Sequence, residues 1–256
     1  MRVGLDGRVV LVTGAAGGVG RAVAERCAEA GAAGLLLTDR DAEGLAGTAA
    51  ALGVPCETVA ADLARDAAAG EVAAACVARF GRIDGLVNAA ALTDRGGVEA
   101  TDRALWDRLF DVNARAPFLL MGRAIADMRG RGAPGAVVNI LSVNAHCGAP
   151  DLAVYSATKG ALLTLTRNAA HAHLADRIRV NGIALGWTVT PAEERMQASL
   201  GQGADWAEAA GRTRPLGRLL EPDEAARQAL WLLAEASAPL TGVVIDLEQR
   251  VFGAPA

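Results

Sequence analysis

Tyr155, the only tyrosine in the chain, is followed four residues later by Lys159 in YSATKGAL, a segment that reads as helix. Positions i and i+4 share a helix face, so the phenol and the ammonium project together. An ammonium beside a phenol favours the phenolate and draws the tyrosine pKa down from about 10 toward the range of a general base. Ser142, at the end of the run VVNILS, would stand at the carboxyl edge of a strand. Its hydroxyl could hold a substrate oxygen against that phenol. The chemistry implied is proton transfer to and from an alcohol or carbonyl oxygen. Taken alone, Y-x-x-x-K is also compatible with an interface aromatic beside a solvated lysine.

The second chemical signal is VTGAAGGVG, which places Gly14, Gly18 and Gly20 between a strand and a helix. Glycines there permit a tight turn and let backbone N–H groups approach a pyrophosphate at the helix N-terminus, where the dipole favours anions. About twenty residues on, Asp39 closes GLLLTD, where a carboxylate can accept hydrogen bonds from both hydroxyls of an adenosine ribose. Its charge would repel a 2′-phosphate, so NAD is expected over NADP, with the adjacent Arg40 offering partial compensation for the latter.

These groups need a scaffold, and the chain supplies its pattern. Short β-branched runs alternate with Ala-rich segments of helical period: RVVLVTG, Val19 to Ala30, GLLLTD, Ala42 to Leu52, CETVAAD, Ala64 to Phe80 and IDGLVNAA. The rhythm continues with a helix from about Arg103 to Met128, the strand AVVNILS, a helix from Ala153 to Ala175, and the strands IRVNGIA and GVVIDL. This alternation predicts an α/β fold over 1–256: a single Rossmann domain whose doubly wound parallel sheet of about seven strands carries helices on both faces. The segment 190–220, polar and interrupted by glycine, breaks the rhythm and should sit over the carboxyl end of the sheet as a substrate lid or a plain helical excursion.

Composition narrows the function classes. The formal net charge of −4 and the lack of basic clusters with interleaved aromatics speak against nucleic acid. No uninterrupted apolar run reaches a membrane span, and glycines break the N-terminal run too early for a signal peptide, so no membrane partner and a cytoplasmic location are expected. The abundance of Ala, Arg and Gly suggests a GC-rich bacterial genome. Cys27, Cys56, Cys76 and Cys147 read as small, buried, reduced residues. With His146, His171 and His173 they complete no metal-ligand pattern, so no metal is expected.

With these residues assembled, the chain resembles the short-chain dehydrogenase/reductase family from Arg8 to about Leu247: TGAAGGVG matches its T-G-x-x-x-G-x-G motif, YSATK its Y-x-x-x-K motif, and Ser142 falls at the family spacing. The resemblance implies a catalytic set of Asn113, Ser142, Tyr155 and Lys159, with Asn113 kinking its helix to hold a water that relays protons from Lys159. It also implies that Asp62 contacts the adenine amino group, that Asn88 opens the N-N-A-G segment beside the cofactor, and that Thr190 bonds the carboxamide. Val19, Leu63, Gly186 and Thr188 complete the implied cofactor-binding residues. Two departures are visible: Ala89 and Ala91 replace the second Asn and the final Gly of N-N-A-G, and Leu185 replaces the Pro of the usual P-G. The family also implies a homotetramer.

Substrate information should lie after Ser142 and in the lid. Asn144, His146 and Trp187 are the candidate substrate residues, and their polar groups suggest a sugar- or polyol-like small molecule. Asn144 and His146 could instead only tie down their own loop. Two other functions stay open: reduction of a 3-oxoacyl thioester with NADPH, to which Arg212, Arg214 and Arg218 would suit an acidic carrier, and a non-catalytic dinucleotide-binding module.

Overall fold

The apolar runs form seven parallel strands, β1 Val9–Thr13, β2 Gly34–Asp39, β3 Cys56–Ala60, β4 Gly85–Asn88, β5 Gly135–Ser142, β6 Ile178–Leu185 and β7 Val244–Leu247. A computed structural model gives this fold and describes residues 3–251; the remainder of the expected 1–256 domain lies outside the described residues. The strands lie in the order β3-β2-β1-β4-β5-β6-β7. Between them run the helices α1 Gly18–Glu29, α2 Ala42–Ala51, α3 Ala68–Phe80, α4 Arg103–Phe110 and α5 Ala116–Gly130. The series ends with α6 Ala153–Ala172, α7 Pro191–Ser199, α8 Trp206–Gly211 and α9 Pro222–Leu233.

Side chains of a strand alternate between faces, and here each face meets its own core. Val9 and Leu11 of β1 pack with α3, α5 and α6, whereas Val10 and Val12 pack with α1, α2 and α9. Both faces are covered, so β1 is buried at every residue. A parallel sheet requires this, and it explains why the strands read as continuous apolar runs. The chain reverses direction across the sheet between β1 and β4, and the loops after those strands open the crevice where ligands bind in such folds.

Two elements differ from the expected pattern. The turn after β3 delays α3 to Ala68, because Asp62 Oδ1 accepts the Ala64 N–H at 2.9 Å and holds the chain in a bend. The helix that periodicity carries from Arg103 to Met128 is interrupted by a π-helical turn, Asp111–Arg115, between α4 and α5, at the place where the resemblance implied a kink at Asn113. Pro117 has no N–H to give to the carbonyl of Asn113 four residues before it, so regular α-helix cannot close there.

Among the described residues no helix is long and apolar enough to cross a membrane. The cysteines are free, but the expectation of uniform burial is corrected. Cys27 and Cys76 are buried, Cys56 is half-buried, and Cys147 is exposed. Burial pushes the thiols of Cys27 and Cys76 up to about 12, leaving them inert at ordinary pH.

Candidate active site

The loops after β1, β4, β5 and β6 enclose one cleft of about 880 Å³ at the carboxyl end of the sheet. Its first wall is the glycine turn. Gly14 sits at φ +69°, and a Cβ there would stand 2.8 Å from the Ala90 nitrogen. At Gly20 a Cβ would fall 2.2 Å from the Gly14 carbonyl oxygen. Both positions therefore demand glycine. Thr13 Oγ1 accepts the N–H groups of Ala89 and Ala90, each at 3.0 Å, which fastens the β4 loop to the β1 loop. Gly14, Gly18, Val19, Gly20, Asp39, Arg40, Asp62 and Leu63 all line this half of the cleft. The Asp39 carboxylate accepts the N–H of Ala16 and of Asp41, both at 3.2 Å, and so braces the turn from the end of β2.

The other half holds the proton-transfer groups. Ser142, Tyr155 and Lys159 line it together, with Asn144, Gly186, Trp187, Thr188 and Thr190. Lys159 Nζ donates to the Ile140 carbonyl at 2.8 Å and lies 5.7 Å from the centre of the Tyr155 ring. Burial lowers the Lys159 ammonium to about 8. Burial also pushes the Tyr155 phenol up to about 12, opposed by a hydrogen bond with Ser142 and by the charge of Arg95, while Glu193 adds to the rise. The expectation that Lys159 would depress the phenol is thus reversed in the protein alone. Desolvation of the phenolate outweighs a lysine that spends its hydrogen bond on Ile140.

The structure moves three expected site residues away from the cleft. Asn113 is fully buried. Its Oδ1 accepts the Leu92 N–H at 2.8 Å and its Nδ2 donates to the Leu92 carbonyl at 2.9 Å and to Thr158 Oγ1 at 3.2 Å. Both Nδ2 hydrogens are committed, and Pro117 cannot donate to the Asn113 main-chain carbonyl. Asn88 does not border the cleft. Its Nδ2 donates to Asn139 Oδ1 at 2.8 Å, and Asn139 passes a hydrogen bond to Thr166 at 2.9 Å, which locks β4 and β5 to α6. His146 is exposed, with Nε2 3.0 Å from Asp246 Oδ1 on β7, and it does not line the cleft.

Segment 190–220 contributes the outer wall. Thr190 Oγ1 accepts the Glu193 N–H at 3.1 Å and caps α7. Trp187 Nε1 donates to Glu193 Oε1 at 2.9 Å, and the Arg214 guanidinium stacks over the Trp187 ring at 5.2 Å. The arginine cluster expected to meet an acidic carrier is divided, since Arg212 pairs with Glu208 and Arg218 with Glu224. Only Arg214 of the three faces the cleft. Thr13 enters the sequence reading only as the first residue of the T-G-x-x-x-G-x-G motif, and Asn139, Arg95 and Glu193 carry no expectation; Asn139, a polar residue inside the apolar run VVNILS, is the one whose position could have signalled a buried network.

The family described as Enoyl-(Acyl carrier protein) reductase matches residues 14–248. The "Inactive 2-(S)-hydroxypropyl-CoM dehydrogenase 2" of Xanthobacter autotrophicus is 35% identical, covering 87% of this chain and 96% of its own. A 2,5-dichloro-2,5-cyclohexadiene-1,4-diol dehydrogenase of Sphingobium indicum is 32% identical over 93% of this chain and 94% of its own. Among solved structures, levodione reductase superposes with a TM-score of 0.89 at 32% identity, covering 96% of this chain and 97% of its own. A glycine cradle fit for a dinucleotide lies beside a serine, tyrosine and lysine at the carboxyl end of a seven-stranded parallel sheet. With these relatives, that arrangement establishes that the chain belongs to the short-chain dehydrogenase/reductase family, nicotinamide-dependent oxidoreductases acting on CH–OH groups.

Proposed function

We propose that the protein interconverts a polar secondary alcohol or lactol and its carbonyl with NAD as the preferred cofactor. The observation carrying this reading is the convergence of Ser142, Tyr155 and Lys159 in the cleft that also contains the glycine cradle and Asp39. Gly14 and Gly20 leave room for a pyrophosphate against backbone that a Cβ would occupy. Asp39, Arg40, Asp62 and Leu63 would hold the adenosine end; Thr188, Thr190 and Lys159 would hold the nicotinamide end. When bound, the nicotinamide supplies the acceptor or donor of hydride.

In the oxidation direction Ser142 orients the substrate oxygen and Tyr155, as phenolate, takes its proton. Ser142 Oγ already accepts the Asn144 N–H at 3.2 Å, which fixes its hydroxyl toward the cleft side of the loop after β5. Lys159, pinned to Ile140, presents positive charge near the phenol and would hold the cofactor ribose. Asn113 sets the π-helical turn against Leu92 and α6, and so positions rather than touches the reacting atoms. Carbonyl reduction reverses each proton movement. Segment 190–220 acts as the lid, the site belongs to a cytoplasmic homotetramer, and Asn144 with Trp187 contributes to holding a sugar- or polyol-like substrate.

The test is turnover of purified protein with NAD and, separately, NADP across aldoses, polyols and simple secondary alcohols, read as reduced nicotinamide. A preference for NAD that Asp39→Ala lowers by about tenfold or more supports the cofactor assignment. Tyr155→Phe is expected to abolish turnover while retaining dinucleotide binding. Unchanged turnover in that variant overturns the catalytic assignment and favours the non-catalytic module.

A further inference from the structure

The substrate end of the cleft holds arginine donors that its own acids leave without hydrogen bonds. Arg95 Nε lies 3.7 Å from Asp151 Oδ2 and its Nη2 lies 3.8 Å from Glu193 Oε1, both too long for hydrogen bonds. Its Nε is buried with no acceptor. Glu193 cannot close that gap freely, because the same Oε1 already accepts from Trp187 and, at 2.7 Å, from Gln197.

Arg214 presents the sharper case. Its guanidinium carbon lies over Trp187, 5.2 Å from the ring centre, a cation–π contact that gives its N–H groups no acceptor. Its Nε is likewise buried without an acceptor, and among the described residues no carboxylate pairs with it. Trp187 and Glu193 thus bring Arg95 and Arg214 to one corner of the cleft, from the loop after β4 and the segment after α8. Arg95 stands close enough to Tyr155 for its charge to act on the phenol. A guanidinium keeps its proton at any working pH, and among the described residues neither arginine, both lining the cleft, donates a side-chain hydrogen bond, so the corner suits a partner with two acceptor oxygens.

We propose that Arg95 and Arg214 form an anion subsite and that the substrate of this enzyme carries a carboxylate. The proposal rests on the alcohol–carbonyl reading of the same cleft, and it narrows the substrate to hydroxy acids and their oxo counterparts. The Trp187 ring lies against the Arg214 guanidinium, and Glu193 fixes Trp187 through the indole N–H.

The experiment uses matched pairs that differ by the carboxylate: gluconate against sorbitol, and 3-hydroxybutyrate against butan-2-ol. Turnover is measured with wild-type protein, and binding is measured by calorimetry on Tyr155→Phe with oxidised cofactor present. The carboxylate member of at least one pair is expected to bind about tenfold or more tightly than its neutral partner. Arg214→Gln and Arg95→Gln should each erase that preference and bring the two members to similar kcat/KM, Arg214→Lys should restore part of it, and NAD affinity should not change in any of them. Equal binding of both members in every pair, or no binding of either carboxylate, overturns the proposal. So does a loss of NAD affinity in Arg214→Gln equal to the loss of carboxylate affinity, since the arginine would then serve the cofactor. If Tyr155→Phe turns over like wild type while the carboxylate preference persists, the catalytic reading fails and the anion subsite stands.

Discussion

Lys159 Nζ donates to the main-chain carbonyl of Ile140 at 2.8 Å, so the helix that carries Tyr155 is fastened to the strand that ends in Ser142. One buried ammonium therefore fixes the separation of the two groups that would meet the substrate oxygen. It does so at a cost, because burial lowers its pKa from 10.5 to about 8.

That cost is visible in stability. The folded chain releases this proton near 8 and the unfolded chain near 10.5. Between those values the unfolded state binds more protons, so the lysine's contribution to stability rises with pH through the window, and the full penalty applies below it. Denaturant titration of wild type and Lys159→Met at pH 7 and pH 10 should show the wild type gaining on the variant by about 2 kcal/mol. An unchanged difference would mean that the buried ammonium keeps its proton.

Burial raises the Tyr155 phenol and the hydrogen bond with Ser142 opposes the rise, so that the phenol stands at about 12 with both acting. Removing the hydroxyl in Ser142→Ala should move the alkaline limb of the oxidation kcat/KM profile to higher pH. Activity at pH 8 should fall on the order of 100-fold, since both the orienting contact and part of the phenolate population are lost. A uniform fall at every pH, with no movement of the limb, would leave Ser142 an orienting role alone.

Asn113 closes three hydrogen bonds in a fully buried position, two of them with the backbone of Leu92. Asn113→Ala should cost about 2 to 4 kcal/mol in urea denaturation, because the Leu92 N–H and carbonyl stay buried without partners. Asn113→Asp should not rescue it: a carboxylate can accept the Leu92 N–H but sets a second acceptor against the Leu92 carbonyl.

The sheet was legible because a parallel strand covered on both faces must be apolar at nearly every position, as β1 and β5 are. Tyr155, Lys159 and the glycine turn were legible because their spacing is local. What escaped was set by contacts between distant segments. Periodicity alone carried the helix from Arg103 through Asp111–Arg115, where the family resemblance placed a kink at Asn113 and Pro117 marks the break locally. His146 reads as a cleft residue until Asp246 on β7 engages it. Arg95 and Arg214 carry no shared signal, since only the Trp187–Glu193 contact brings them into one corner.

The glycines separate into those that carry the cradle and those that only weaken a helix. At Gly20 a Cβ would stand 2.2 Å from the Gly14 carbonyl oxygen and 2.8 Å from that of Thr13, backbone atoms at the end of β1 and immediately after it. Neither can yield, so Gly20→Ala must push α1 off the turn and spoil the row of N–H groups that would meet a pyrophosphate. NAD binding, measured by calorimetry, should weaken on the order of 10- to 100-fold, and stability should fall by about 1 to 3 kcal/mol. Gly47, inside α2 and exposed, meets nothing within 4 Å. Gly47→Ala should therefore stabilise the protein by about 0.5 to 1 kcal/mol through backbone entropy and leave NAD binding unchanged. Equal losses in the two variants would mean that glycine content, and not the close approach at the turn, governs both.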